Sequence, residues 1–152
     1  MKVKDIMTSD LRTCAPETSA AAAAQLMWDA DCGILPVVDA GRLVGVITDR
    51  DLYIALATRN CLASELRVGD VTTGRVVTCE PEDDIHQVME AMTAQRVRRL
   101  PVLGFGGAVI GIVSIDDVVR EAGPRRIVTN EEVIGTLKGI YSAHQAADIV
   151  AV

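Results

Sequence analysis

The stretch LPVLGFGGAVIGIVSIDD, Leu100 to Asp117, decides the fold, because the chain has already written it once: Leu35 to Asp51 reads LPVVDAGRLVGVITDRD. In both copies a Leu-Pro-Val run passes through a glycine-containing turn into a second apolar run, which ends in Gly-x-x-[Ser/Thr]-x-x-Asp. The runs Ile34 to Val38 and Leu43 to Ile47 are short and rich in β-branched residues, the mark of buried strands, and Asp39-Ala-Gly41 between them is turn chemistry. The second copy turns on Gly104, Gly106 and Gly107. Each copy is expected to be a β-hairpin running into the start of a helix.

The repetition reaches upstream of the hairpins. Thr13-Cys14-Ala15-Pro16-Glu17 is matched by Thr78-Cys79-Glu80-Pro81-Glu82, and Val3 to Ile6 by Val68 to Val71. Leu35 and Leu100 keep the same offset, whereas Gly45 and Gly111 stand one residue further apart, so the second hairpin turn holds one extra residue. Units of roughly 55 to 60 residues bury little surface alone. The economical reading is one domain, residues 1–123, in which repeat one (2–58) packs on repeat two (67–122), with 124–152 as a helical extension.

Composition agrees. The chain has 152 residues, 49% of them apolar, with one Trp, two Tyr and one Phe, so the core must be built of Val, Ile, Leu, Ala and Met. A net charge of -6 with no basic stripe argues against direct nucleic-acid binding. The N-terminus lacks the apolar region of a signal peptide, and no run approaches 18 apolar residues, so the expectation is a cytoplasmic protein without a membrane partner. Cys14, Cys32, Cys61 and Cys79 form no C-x-x-C pair, and His86 and His144 add no zinc spacing; no metal is expected. Cys14 and Cys79 read as one small buried hydrophobe used twice, with a redox or metal role as the alternative should the two meet.

In chain order, Lys2 to Met7 is expected to be a short helix and Leu11 to Thr13 a short strand. Thr18 or Ser19 caps a helix running to about Asp31, ended by Gly33. Asp83 or Asp84 caps its counterpart, in which Ile85, Val88, Met89 and Met92 form one apolar stripe. Second helices follow from Asp49 and from Ile115, and Arg59 to Arg67 is a linker. Thr129-Asn-Glu-Glu132 is a capping box ahead of a helix to about Ala143, whose apolar face is Val133, Ile134, Leu137, Ile140 and Tyr141, with Ile134, Leu137 and Tyr141 expected to be buried. Leu52, Ile54, Ala55, Val118 and Val119 put more apolar surface on the second helices than one face needs, which points to a homodimer.

This order, helix-strand-helix-strand-strand-helix written twice in an α/β (α+β) fold, resembles the CBS domain pair, or Bateman module, over about residues 2 to 122. It is most similar to small stand-alone bacterial pairs of the hypoxic-response-protein kind. The resemblance implies two repeats about a pseudo-twofold axis and clefts between them that bind adenosine-containing ligands: AMP, ADP, ATP or S-adenosylmethionine. It also implies a regulatory role toward a protein target and association as a disc-shaped dimer.

The motif's chemistry makes sense of those clefts. A carboxylate at a helix start can accept two hydrogen bonds from a cis-diol, so Asp51 and Asp117 are candidates for ribose. Taken singly, each is equally a helix N-terminal residue favoured by the dipole. Thr48 and Ser114, three residues earlier, stand where helix-start N–H groups favour phosphate. Arg98 and Arg99 precede Leu100-Pro101, whereas Gly33 and Ile34 precede Leu35-Pro36; Arg50 is the partial substitute in the first copy, and Asp116 answers it in the second. By resemblance, backbone at Thr13, Cys14 and Ala15 and at Thr78, Cys79 and Glu80 contacts adenine. The stronger site is therefore expected at Thr78 to Glu80, Arg98 to Pro101, Ser114 and Asp117. The weaker one is expected at Thr13 to Ala15, Ile34 to Pro36, Thr48, Arg50 and Asp51. No catalytic motif is present, so the chain reads as no enzyme. A nucleotide-sensing regulatory module leads; a dimerisation scaffold with degenerate clefts and a cysteine-based sensor are the alternatives.

Overall fold

The structure, a computed structural model, describes residues 1–142 apart from 73 and 75. The expected helical extension beyond Ser142, with Ala143 and His144, lies outside the described residues.

Repeat one contains α1 (Ala20–Asp29), β1 (Ile34–Asp39), β2 (Arg42–Thr48) and α2 (Asp49–Arg59). Repeat two contains α3 (Ile85–Gln95), β3 (Arg99–Leu103), β4 (Val109–Ser114) and α4 (Ile115–Glu121), and α5 (Asn130–Ile140) follows. Each repeat carries a two-stranded antiparallel sheet. Leu35 pairs with Ile47 in the first and Leu100 with Val113 in the second, and each ladder breaks at the same step, between Val37 and Val38 and between Val102 and Leu103. The turn between β1 and β2 is closed by Ala40 and Gly41, both at positive φ. Its counterpart is wider, a short 3-10 turn at Phe105–Gly107 in which Gly106 and Gly107 take positive φ. The extra residue of the second repeat sits there.

Caps follow the local chemistry. Ser19 accepts from the amide of Ala22, and Asp84 from that of His86. Thr48 with Asp51, Ser114 with Asp117 and Thr129 with Glu132 each complete a reciprocal capping box. Two expected elements are shorter than their sequence suggested. The leading helix is a single 3-10 turn, Val3–Asp5. The first strand is reduced to one parallel bridge, Cys14 to Val37, mirrored by Cys79 to Val102. In both, the cysteine amide donates to a proline carbonyl, Pro36 at 3.0 Å and Pro101 at 3.1 Å. The two helices α1 and α3 end through left-handed residues at equivalent positions, Asp31 and Arg96, rather than at Gly33.

The two cores are interlocked. Val3, from the lead-in to repeat one, is buried with Ile85, Met92, Leu100 and Val113 of repeat two. Leu66 and Val68, from the lead-in to repeat two, are buried with Ala23, Met27, Leu35 and Ile47 of repeat one. Backbone bonds seal both exchanges: Val3 and Lys4 amides donate to Asp83 and Pro81, while Val68 and Gly69 amides donate to Thr18 and Pro16.

α5 lies along α3. Its buried residues are Val133, Thr136 and Ile140; Val133 and Ile140 belong to the expected face, but Ile134 and Tyr141 are exposed and Leu137 is half-buried, so the buried side is rotated from the expected one. The reason is steric. Gly139 brings the helix so close to Thr93 that a Cβ there would overlap the Thr93 methyl, which turns the Thr136-Gly139-Ile140 side inward. Thr136 tolerates burial because its hydroxyl donates to the Glu132 carbonyl at 3.0 Å. Among the described residues no helix is long and apolar enough to cross a membrane.

Candidate functional site

A cavity of about 610 Å³ opens where the end of β2 and the start of α2 face the start of β3. Repeat one contributes Gly33, Ile34, Val46, Thr48, Asp49 and Arg50. Repeat two contributes Arg96, Arg98, Arg99, Leu100 and Pro101 among others. One cavity thus draws on both of the residue sets expected from sequence. Ile34, Thr48 and Arg50 come from the set read as weaker, and Arg98 to Pro101 from the set read as stronger. Ser114, Asp117, Asp51, Thr13 to Ala15, Leu35, Pro36, Cys79 and Glu80 do not line it. Thr78 lines a different cavity of about 430 Å³ near the hairpin tips, with Arg42, Val44 and Gly107.

The hairpins explain this grouping. Arg99 stands opposite Ser114 in the ladder, so the basic pair sits at the strand end of repeat two, and Ile34 opposite Thr48 marks the same place in repeat one. Gly33 has a separate task. A Cβ on it would stand 3.0 Å from an Asp49 carboxylate oxygen, so any larger residue would push the Asp49 side chain aside at the start of α2. Asp49 also accepts from the Arg50 amide at 2.7 Å.

The two helix-start carboxylates have unlike surroundings. Asp117 is 4% exposed; its Oδ2 accepts from the amide and the hydroxyl of Ser114, and its Oδ1 is held by Arg120. Asp51 is exposed and makes the same pair of bonds through Oδ2 to Thr48, at 3.0 and 2.6 Å, while among the described residues nothing holds its Oδ1. The expectation that the Asp117 site is the stronger rested on the Asp, the hydroxyl of Ser114 and the Arg98-Arg99 pair falling in one repeat; in the structure both oxygens of Asp117 are engaged, whereas Oδ1 of Asp51 has no partner among the described residues. Of the arginines, Arg99 pairs loosely with Asp116 at 3.6 Å and Arg98 donates to the Tyr141 hydroxyl at 3.2 Å. Among the described residues Arg50 makes no ion pair. Sequence reasoning missed Gly33 as a spacing residue and Tyr141 as a partner of Arg98, since both depend on distant neighbours.

The cysteines are placed unlike reactive thiols. Cys14 and Cys79 are buried, and burial pushes the thiol of Cys14 up to about 11 and that of Cys79 up to about 12. No group of three or more His, Cys, Asp or Glu among the described residues is arranged to hold a metal ion.

Comparison with known proteins agrees with the geometry. The CBS domain family matches residues 3–58 and 68–124. The CBS domain-containing protein YhcV of Bacillus subtilis is 31% identical over 116 residues, covering 76% of this chain and 81% of that protein. The solved CBS domain pair of protein MJ0100, in complex with 5-methylthioadenosine and S-adenosyl-L-methionine, superposes with a TM-score of 0.72 at 29% identity, covering 79% of this chain and 94% of that one. Hypoxic Response Protein I, solved with two coordinated zinc ions, superposes with a TM-score of 0.72 at 28% identity, covering 79% and 98%.

Proposed function

The chain belongs to the CBS domain family, and from that premise we propose that it is a regulatory module that takes an adenosine-containing ligand between its repeats and signals occupancy to a protein target. The observation that carries the reading is the make-up of the 610 Å³ cavity, a size that suits a nucleotide. It joins a helix-start hydroxyl, Thr48, to arginines from both repeats, with the apolar Ile34, Val46 and Leu100 alongside. Arg98, Arg99 and Arg50 serve phosphate; Asp51 does not itself line the cavity, but its exposed carboxylate is bonded to the lining Thr48 and is assigned to ribose. Ser114 and Asp117, with backbone at Thr78 to Glu80, form the second site of the pair, and Thr13 to Ala15 offers the matching backbone in repeat one. No catalytic step is assigned.

Melting the purified protein with AMP, ADP, ATP, NAD and S-adenosylmethionine tests the reading. A ligand at a hundred times its Kd stabilises by about 2.7 kcal/mol, a rise of roughly 5 to 11 °C for a chain of this size. No shift with any of the five overturns it. Asp51→Ala should weaken binding by about tenfold or more, whereas Asp117→Ala should chiefly lower the melting temperature, because it removes a buried cap.

We also infer a homodimer. Of the residues first picked for it, Leu52, Ala55 and Val118 are buried within their own repeat, and Ile54 and Val119 remain exposed. Trp28 and Tyr53 are 82% and 74% exposed beside a groove of about 570 Å³ between α1 and α2, a patch that suits a second copy. Sedimentation at micromolar concentration should show a dimer, and Trp28→Ser with Tyr53→Ser should shift it to monomer; a wild-type monomer removes this part of the proposal.

A further inference from the structure

The helical face of repeat two is covered, and that of repeat one is bare. α5 seats Val133 and Ile140 in the core that holds Met92 and Val118, and its Gly139 closes on Thr93. In the register of the two repeats Met92, Thr93 and Val118 answer Met27, Trp28 and Leu52. Among the described residues no helix covers that second seat: Met27 and Leu52 line the groove of about 570 Å³ with the exposed Trp28 and Tyr53. Asp31 and Asp49 line it as well, and no Lys, Arg or His does. α5 has an open face of the complementary character. Ile134, Lys138 and Tyr141 recur at helical spacing and are all exposed, on the side turned away from Thr136 and Ile140. Lys138 makes no ion pair among the described residues.

Resting on the dimer reading above, we propose that the groove of repeat one takes the outer face of α5 from a second copy: Ile134 and Tyr141 lie against Trp28 and Tyr53, and Lys138 meets Asp31 and Asp49. An apolar stripe that carries a cation then fits an aromatic groove that carries anions, so burial and charge agree. Groove against groove would do the opposite. It would set Asp31 and Asp49 against the same carboxylates of the second copy and leave Ile134 and Tyr141 in water. Each copy owns one groove and one α5 face, so a twofold axis makes the contact twice and closes the assembly. α5 lies beyond residue 124, where the match to the CBS family ends, so this pairing belongs to the added helix and not to the repeats. The groove shares Gly33 and Asp49 with the ligand cavity, and the Tyr141 hydroxyl accepts from Arg98 of that cavity, so both halves of the contact adjoin the ligand site.

The experiment uses the whole protein in two ways. Sedimentation at micromolar concentration compares wild type with Ile134→Ser/Lys138→Glu, and carbodiimide, which joins an amine directly to a carboxylate, is applied to unlabelled and heavy-isotope-labelled wild-type chains mixed and left to exchange. Both substituted residues are exposed, so the variant should keep its melting temperature. Its dimer Kd should rise by at least about tenfold, because an apolar contact is lost and an attraction becomes a repulsion. In the wild-type mixture, peptides joining Lys138 to Asp31 or Asp49 should carry one label of each kind, which only a contact between copies can produce. The cross-link needs no substitution, so it decides the question even if the variant melts lower. A variant that dimerises as tightly as wild type, or a dimer whose mixed-label peptides leave out Lys138, overturns this pairing and leaves the dimer reading standing. A wild-type monomer overturns both.

Discussion

Cys14 and Cys79 occupy matching positions, and each thiol faces the carbonyl of the proline in its Leu-Pro-Val run, at 3.9 Å in both repeats. Only the thiolate reacts, and for Cys14 at about 11 the thiolate fraction at pH 8 is about a thousandth. Burial slows access further. A disulfide reagent at pH 8 should therefore label the half-buried Cys32 and Cys61 promptly and leave Cys14 and Cys79 protected until the protein unfolds, which mass spectrometry of the labelled chain would check. Prompt labelling of Cys14 or Cys79 would revive the redox reading. Sequence could show that the two cysteines are equivalent. It could not show that they are inert, because the shift comes from neighbours distant in the chain.

At the scale of the element, α5 is the informative one. Gly135 faces open space, whereas Gly139 meets Thr93. Gly135→Ala should stabilise by about 1 kcal/mol through helix propensity alone. Gly139→Ala gains the same term and loses about 1 to 3 kcal/mol to overpacking, so it should be destabilising or loosen α5 from α3. Thermal unfolding of the two variants separates the effects. The same helix meets α3 through polar groups: His86 lies 2.8 Å from Asp84, the cap of α3, and 3.5 Å from Glu132 in the first turn of α5, with the Met1 amino group 3.7 Å from Asp84. Asp84 is held below the usual carboxylate range chiefly by the His86 amide and then the His86 ring, and Glu132 chiefly by the Thr129 amide and then its hydroxyl. An acid so depressed contributes stability that is fully present above its unfolded value of about 4 and is lost as the pH falls through its lower folded value. Melting temperature should therefore drop below about pH 4, and more gently in Glu132→Gln, which has no charge there to lose. Identical slopes for the two proteins would show that the cap does not contribute.

At the scale of the whole molecule, the exchange of lead-ins makes each repeat depend on the other's chain. Val3 and Val68 are both fully buried, each in the core of the other repeat. Val68→Ala should cost about 2 kcal/mol, the transfer of two methyl groups plus some cavity, and should lower the stability of repeat one although the residue precedes repeat two. Unfolding should remain a single transition, with hydrogen exchange in α1 and α3 accelerating together. Independent melting of the two halves would contradict the interlock.

The sequence by itself determined what depends on neighbours in the chain. The double Leu-Pro-Val hairpin, the extra residue of its second turn and the capping boxes at Thr48, Ser114 and Thr129 are written in patterns a few residues long, whose geometry is local. Tertiary structure alone decided the rest. It set which core receives Val3 and Val68, which face α5 buries, and that Arg50 shares a cavity with Arg98 and Arg99. It also made Asp51 and Asp117, identical in motif, unlike in chemistry, because Arg120 and burial engage one carboxylate and leave an oxygen of the other free. Burial and charge pairing arise between residues that the chain keeps far apart, and the pattern of one segment carries no record of what will be packed against it.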